Sequence, residues 1–191
     1  MSRAKARKYD RTVVLVGLMG AGKTCIGKRL AKHLGMKFAD ADAAIEQAAC
    51  CTIPEIFAQH GEAAFREGER RVIARLLDDP PHVLATGGGA FMDPVTRAKI
   101  KDRAVSIWLR ADLEVLMRRT ARRGNRPLLK QGDRRAVLER LIAERHPIYA
   151  EADIAVESAD IPAEVTAERV AAALEAFLRP AEDIQRRRTG S

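Results

Sequence analysis

Gly17-Leu18-Met19-Gly20-Ala21-Gly22-Lys23-Thr24 limits what this chain can fold into more than any other stretch. It fits the phosphate-binding pattern G-x-x-x-x-G-K-[ST], whose mechanism needs a strand before it and a helix after it. Both are present. Arg11-Thr-Val-Val-Leu-Val16 is a β-branched run of the kind that makes a buried parallel strand. Ile26, Leu30 and Leu34 follow at helical spacing, and Gly35 is a helix stop. Gly17 and Gly22 allow a tight turn whose N–H groups point into one concavity. Lys23 can reach a β/γ-phosphate, the Thr24 hydroxyl can ligate Mg²⁺, and a helix N-terminus favours negative charge. The stretch reads as a nucleoside-triphosphate site.

Composition narrows the class. The 191 residues suit one domain with a sizeable core. No signal peptide and no membrane-spanning apolar run is visible, so a soluble cytoplasmic protein is expected. Cys25, Cys50 and Cys51 make no disulfide framework, which suits a reducing compartment. The net charge of +8 is concentrated at the ends: residues 1–10 carry +3 and 179–191 carry +2, leaving +3 for 11–178. Only 4% of residues are aromatic, too few for a base-stacking platform, so no nucleic-acid partner is expected. The expected organisation is a basic tail at 1–10, one domain at 11–178 and a basic tail at 179–191, both tails solvated and disordered.

Helical patterns alternate with short apolar strands, which argues for a parallel α/β sheet. Further strands are expected at Lys37–Ala39, Val83–Thr86, Val105–Leu109 and Ile154–Val156. The last helix is expected from about Ala163 to Leu178, framed by Pro162 and Pro180. Two insertions interrupt the alternation. Residues 42–79 hold consecutive helical patterns, one opened by the capping box Thr52-Ile-Pro-Glu55. Residues about 120–133 include Arg122-Arg-Gly-Asn-Arg-Pro-Leu-Leu129, a basic segment that is either a lid over the nucleotide or an ordinary surface loop.

Several residues carry candidate chemistry. Asp40 and Asp42 end the second strand, at the edge of an open α/β sheet that faces the ligand crevice. One can orient a substrate hydroxyl and the other face the metal, or one can merely cap the next helix. Arg66 and Glu69 are i, i+3 neighbours, so an exposed salt bridge is their plain reading. Gly87-Gly88-Gly89 follows the third strand and permits close backbone approach to a ligand. No Asp ends that strand, so the usual Walker-B magnesium ligand is missing and metal duties fall to Thr24 and Asp40. Arg145 ends an amphipathic helix just ahead of Pro147. It either meets that helix's terminal carbonyls or joins Arg66 in a clamp on a carboxylate. His33, His60, His82 and His146 lack metal-ligand spacing, and Trp108 reads as core.

Taken in order, Gly17–Thr24, Asp40-Ala-Asp42, Phe65-Arg66 with Glu69, Gly87-Gly-Gly89, Arg126-Pro-Leu-Leu129 and Arg145-His-Pro-Ile-Tyr149 resemble the shikimate kinases. The resemblance runs from Arg11 to about Tyr149. It implies a five-stranded parallel sheet, order 2-3-1-4-5, with substrate-binding and lid insertions. It implies phosphorylation of the shikimate 3-hydroxyl by MgATP, on the way to chorismate and aromatic amino acids. A monomer is expected. Under the resemblance Asp42 holds the hydroxyl, and Arg66, Arg145 and the Gly87, Gly88 and Gly89 turn hold the carboxylate and ring. Gly20, Ala21, Gly22, Lys23, Thr24, Cys25, Arg119 and Arg126 serve ATP. Lys23 and Arg126 stabilise the transferring group, Arg126 arriving on the lid, while Thr24 and Asp40 serve Mg²⁺.

Three departures stand out. Thr24-Cys25 replaces the family's usual Ser-Thr, Cys50-Cys51 replaces a turn that usually contains glycine, and Glu157-Ser-Ala-Asp160 lacks a basic residue often found near the adenine. Two other readings remain: a kinase for another small hydroxy acid such as gluconate, and a nucleotide-binding protein that associates with nucleic acid through its tails.

Overall fold

The short apolar runs become β1 (Thr12–Val16), β2 (Lys37–Asp40), β3 (His82–Ala85), β4 (Ala104–Arg110) and β5 (Ile154–Glu157). They form one all-parallel sheet of order β2-β3-β1-β4-β5. The computed structural model describes residues 9–121 and 133–189, with 180–189 as backbone alone. Helices α1 (Lys23–Leu34), α2 (Ala41–Ala49), α3 (Ile53–Asp78), α4 (Pro94–Arg103), α5 (Leu113–Ala121), α6 (Arg134–Tyr149) and α7 (Ala163–Thr189) connect and follow the strands.

β1 lies at the sheet's centre and is buried along its whole length, as a parallel strand covered on both faces must be. α1 and α7 pack together, and α3 packs against α4, which the right-handed crossovers assign to opposite faces. Every strand therefore ends at the same edge. The loops after β1, β2, β3 and β5 gather there, which is why the motifs meet. Among the described residues no helix is long and apolar enough to cross a membrane.

Strand ends differ from expectation by one residue. The helix ends differ more. α6 continues past Arg145 and through Pro147 to Tyr149. The lost proline N–H falls in the last turn, where burial of Tyr149 and an Ala150 N–H bond to the His146 carbonyl hold the chain. α7 does not stop at Leu178 but runs through Pro180 to Thr189. Tyr9, counted with the basic tail, packs on the core, and its hydroxyl donates to Glu175 at 3.3 Å.

The insertion at 42–79 is α2 and α3. Thr52 and Glu55 form the capping box, the Thr52 N–H reaching Glu55 Oε2 at 2.7 Å. α3 bends at Gly61, where φ is 78° and ψ 175°. Cys50 keeps the left-handed geometry of the glycine-type turn at φ 52°, so the substitution changes the residue and not the turn. Gly68, within α3, has nothing within 4 Å of where a β-carbon would stand. Gly68→Ala should therefore raise the unfolding free energy by about 0.5–1 kcal/mol, from helix propensity alone. Urea unfolding of the two proteins checks this; a loss of stability would mean that the α3 backbone is not regular there.

Candidate active site

β1 turns into α1 through the glycine-rich loop. Gly17 (φ 140°) lies so close to β4 that a β-carbon would stand 2.7 Å from the Leu109 carbonyl oxygen. Gly22 (φ 93°) caps α1 without any side-chain bond, and no acidic residue occupies the first turn. The N-terminus of α1 lines the cleft, where helix N–H groups and the helix dipole favour an anion. Lys23 Nζ donates to the carbonyls of Gly17 and Leu18 at 2.6 and 3.0 Å, folded back over the loop. The Thr24 hydroxyl donates to Asp40 Oδ2 at 2.7 Å. With its hydrogen committed there, the lone pairs of Thr24 Oγ1 remain for another partner. Cys25 lines the same cleft, and its sulfur accepts from Arg29 Nη1 at 2.9 Å.

The two aspartates divide their tasks. Asp40 is the cap of α2, its Oδ1 accepting the Asp42 N–H at 3.1 Å. Asp42 stands in the first turn of α2 and turns toward the loop after β3. A β-carbon at Gly87 would lie 2.8 Å from Asp42 Oδ1 and 3.0 Å from Glu69 Oε1. At Gly89 a β-carbon would lie 2.5 Å from Arg66 Nη1, so the guanidinium rests directly on that glycine. Arg145 Nη1 donates to the Gly88 carbonyl at 3.1 Å, not to the end of its own helix. Asp42, Arg66 and Arg145 thus come from α2, α3 and α6 and converge on one turn.

Arg66 and Glu69 are paired at 2.7 Å, but the pair is not an exposed one: the Glu69 side chain is 4% accessible. Burial pushes the Glu69 carboxyl above its ordinary value although the Arg66 charge opposes this. The result is a guanidinium fixed from below by Glu69 and flanked by Glu62 at 3.4 Å.

Arg119 holds the nucleotide loop from the α5 side. Its Nη1 donates to the Gly20 and Ala21 carbonyls at 3.3 and 3.4 Å and to Ser158 Oγ at 2.9 Å, while Nη2 donates to the Ala159 carbonyl at 2.6 Å. Burial lowers its pKa. Ser158 is fully buried and donates to the Ala21 carbonyl at 2.7 Å. Sequence reasoning passed over Ser158, although its place just after β5, on the edge where every other motif lies, was the available signal. Tyr149 was read only as part of a motif; its phenol also donates to the Gly88 carbonyl.

Lys23, Thr24, Asp40, Asp42, Gly87 and Gly88 are among the residues that line a cleft of about 350 Å³, which Arg66 and Arg145 approach through the Gly87–Gly89 turn. Its walls are cationic and N–H-rich on the α1 side and carry a carboxylate on the α2 side, as transfer of an anionic group to a hydroxyl requires. Arg126 and the segment 122–132 lie outside the described residues.

The shikimate kinase family model matches residues 19–175. A shikimate kinase of Paramagnetospirillum magneticum is 62% identical over 171 residues, covering 90% of this chain and 88% of that one. One from Rhodopseudomonas palustris is 56% identical over 169 residues, covering 88% and 83%. The structure of an Acinetobacter baumannii shikimate kinase in complex with shikimate superposes with a TM-score of 0.83 at 37% identity, over 89% of this chain and 94% of that one. Likeness of this depth, with the family model running from within the glycine-rich loop through the Gly87–Gly89 turn and α6, leaves one conclusion: the chain belongs to the shikimate kinase family.

Proposed function

We propose that this chain transfers the γ-phosphoryl group of ATP to the 3-hydroxyl of shikimate, giving shikimate 3-phosphate and ADP. The observation that carries the reading is the convergence of Asp42, Arg66 and Arg145 on Gly87–Gly89, across one cleft from Lys23 and Thr24. Asp42 orients the acceptor hydroxyl and takes its proton as the phosphoryl group moves. Arg66 and Arg145 grip the carboxylate of the acid through their planar forks. Lys23 leaves the Gly17 and Leu18 carbonyls for the β- and γ-phosphates, and Arg126 adds a second cation to the transferring group. Gly20–Cys25 and Arg119 hold the rest of the nucleotide.

The Thr24 hydroxyl and Asp40 carboxylate are hard oxygen donors 2.7 Å apart on the cleft wall, and such donors suit Mg²⁺ held mainly by phosphates and water. Among the described residues no cluster of three or more His, Cys, Asp or Glu forms a cage, which agrees with a metal that arrives with its nucleotide. Held there with the nucleotide, Mg²⁺ would supply positive charge against the phosphates. We assign the protein to the cytoplasm, with no nucleic-acid partner, on its three free cysteines and the modest charge of residues 11–178.

A coupled ATP-consumption assay tests the reading. Shikimate should stimulate turnover in the presence of Mg²⁺ and gluconate should not; absence of stimulation by shikimate overturns it. In the same assay Arg66→Lys should raise the shikimate KM about tenfold or more, because an ammonium cannot replace the fork that Glu69 holds. An unchanged KM would mean that the carboxylate binds elsewhere.

A further inference from the structure

The last turn of α6 brings two donors to one backbone oxygen. Arg145 and Tyr149 are i, i+4 neighbours and therefore share a helix face. Arg145 Nη1 reaches the Gly88 carbonyl at 3.1 Å, and the Tyr149 hydroxyl donates to the same oxygen. The Tyr149 ring has no freedom to do otherwise. It is fully buried, with Phe91 6.5 Å away at 24° and Trp108 6.0 Å away at 30°. Gly88 in turn abuts the nucleotide loop: a β-carbon there would stand 3.5 Å from Arg145 Nη1 and 3.6 Å from the Met19 nitrogen. A rigid aromatic cluster thus ends in a hydroxyl that fixes the turn on which the acceptor-side residues converge.

We propose that Tyr149 is a positioning residue of the acceptor site, holding the Gly88 carbonyl jointly with Arg145 so that the guanidinium keeps its place for the substrate carboxylate. The proposal rests on the reading of Arg145 as a carboxylate ligand. Burial pushes the Tyr149 phenol up to about 12, so it remains a protonated donor across the neutral range. Without the hydroxyl the Gly88 oxygen has only Arg145, whose guanidinium is then drawn toward the turn and away from the substrate.

The test is Tyr149→Phe, which keeps the ring and removes the donor. Shikimate KM should rise about three- to tenfold, the effect of one neutral hydrogen bond, while ATP KM and kcat stay within about twofold. A parallel rise in both KM values, or none for shikimate, overturns the proposal. Arg145→Lys, measured beside it, tests the underlying reading: no rise in shikimate KM there removes the carboxylate role, whereas a rise there with none in Tyr149→Phe removes only the role of Tyr149. Adding Tyr149→Phe to Arg145→Lys should cost less than the two effects combined, since both act through one carbonyl. Full additivity counts against the proposal. If Tyr149→Phe does not fold, the wild-type chain decides, because it holds only two tyrosines, Tyr9 and Tyr149. With fluorotyrosine incorporated, shikimate should shift the ¹⁹F resonance of Tyr149, assigned through Tyr9→Phe; an unmoved Tyr149 resonance at saturation overturns the proposal.

Discussion

Asp42→Asn is expected to lower kcat at least ~10²-fold, the lower range for a positioned acid–base group, with a much smaller change in shikimate KM. Asparagine preserves the shape and one oxygen of the side chain but cannot take the hydroxyl proton. The division of labour between the aspartates makes the test clean. Asp40, not Asp42, caps α2 and binds the Thr24 hydroxyl. The substitution at 42 therefore leaves the helix start and the α1–β2 link in place, and thermal unfolding should move by no more than a few degrees. A kcat within about threefold of wild type would show that phosphoryl transfer here proceeds without a carboxylate base, on positioning and charge alone. Asp40→Asn should behave differently. It weakens the cap and the Thr24 bond together, so its loss should appear in stability and in the Mg²⁺ concentration needed for half-maximal rate.

How far the sequence foretold this arrangement depends on the kind of signal each part carries. The glycine-rich loop and the alternation of patterns are local, and both gave the parallel sheet with strand ends in error by one residue. Helix ends were less legible. Pro147 and Pro180 are stop signals in isolation, yet burial of Tyr149 outweighs the single bond lost at Pro147, and α7 likewise continues through Pro180. The acceptor side is non-local. Arg66, Gly89 and Arg145 are far apart in the chain, and only the resemblance to a known family grouped them before the fold did. Even then the plain reading of Arg66 and Glu69 as an exposed pair missed that Glu69 is buried, because periodicity in α3 does not reveal which face the Gly87–Gly89 turn will cover. The contacts of Ser158 and Tyr149 are illegible for a related reason: place in the chain or in a motif marks the residue, but the backbone carbonyl to which it donates leaves no mark on sequence.

The glycine turn supplies the second large effect. Gly87→Ala should lower kcat/KM about 10²-fold while the protein stays folded. No left-handed backbone is required at Gly87, so alanine meets no conformational barrier there; the only question is space. Its methyl carbon would stand 2.8 Å from Asp42 Oδ1, closer than such atoms approach, and 3.0 Å from Glu69 Oε1, a tight contact. Something must move. Glu69 is pinned by Arg66 at 2.7 Å within the core side of α3, whereas Asp42 is exposed in the cleft. Asp42 therefore yields, and a displacement of about 1 Å at the base proposed above should cost on the order of 10²-fold. Gly89→Ala presses instead on Arg66, at 2.5 Å, and should act through shikimate KM. The two neighbouring substitutions thus separate chemistry from binding within one turn. Gly68→Ala, with nothing within 4 Å, is the control and should retain full activity. Wild-type turnover in Gly87→Ala would mean that Asp42 reaches the acceptor from a position the turn does not govern, and its role as the base would have to be given to another group.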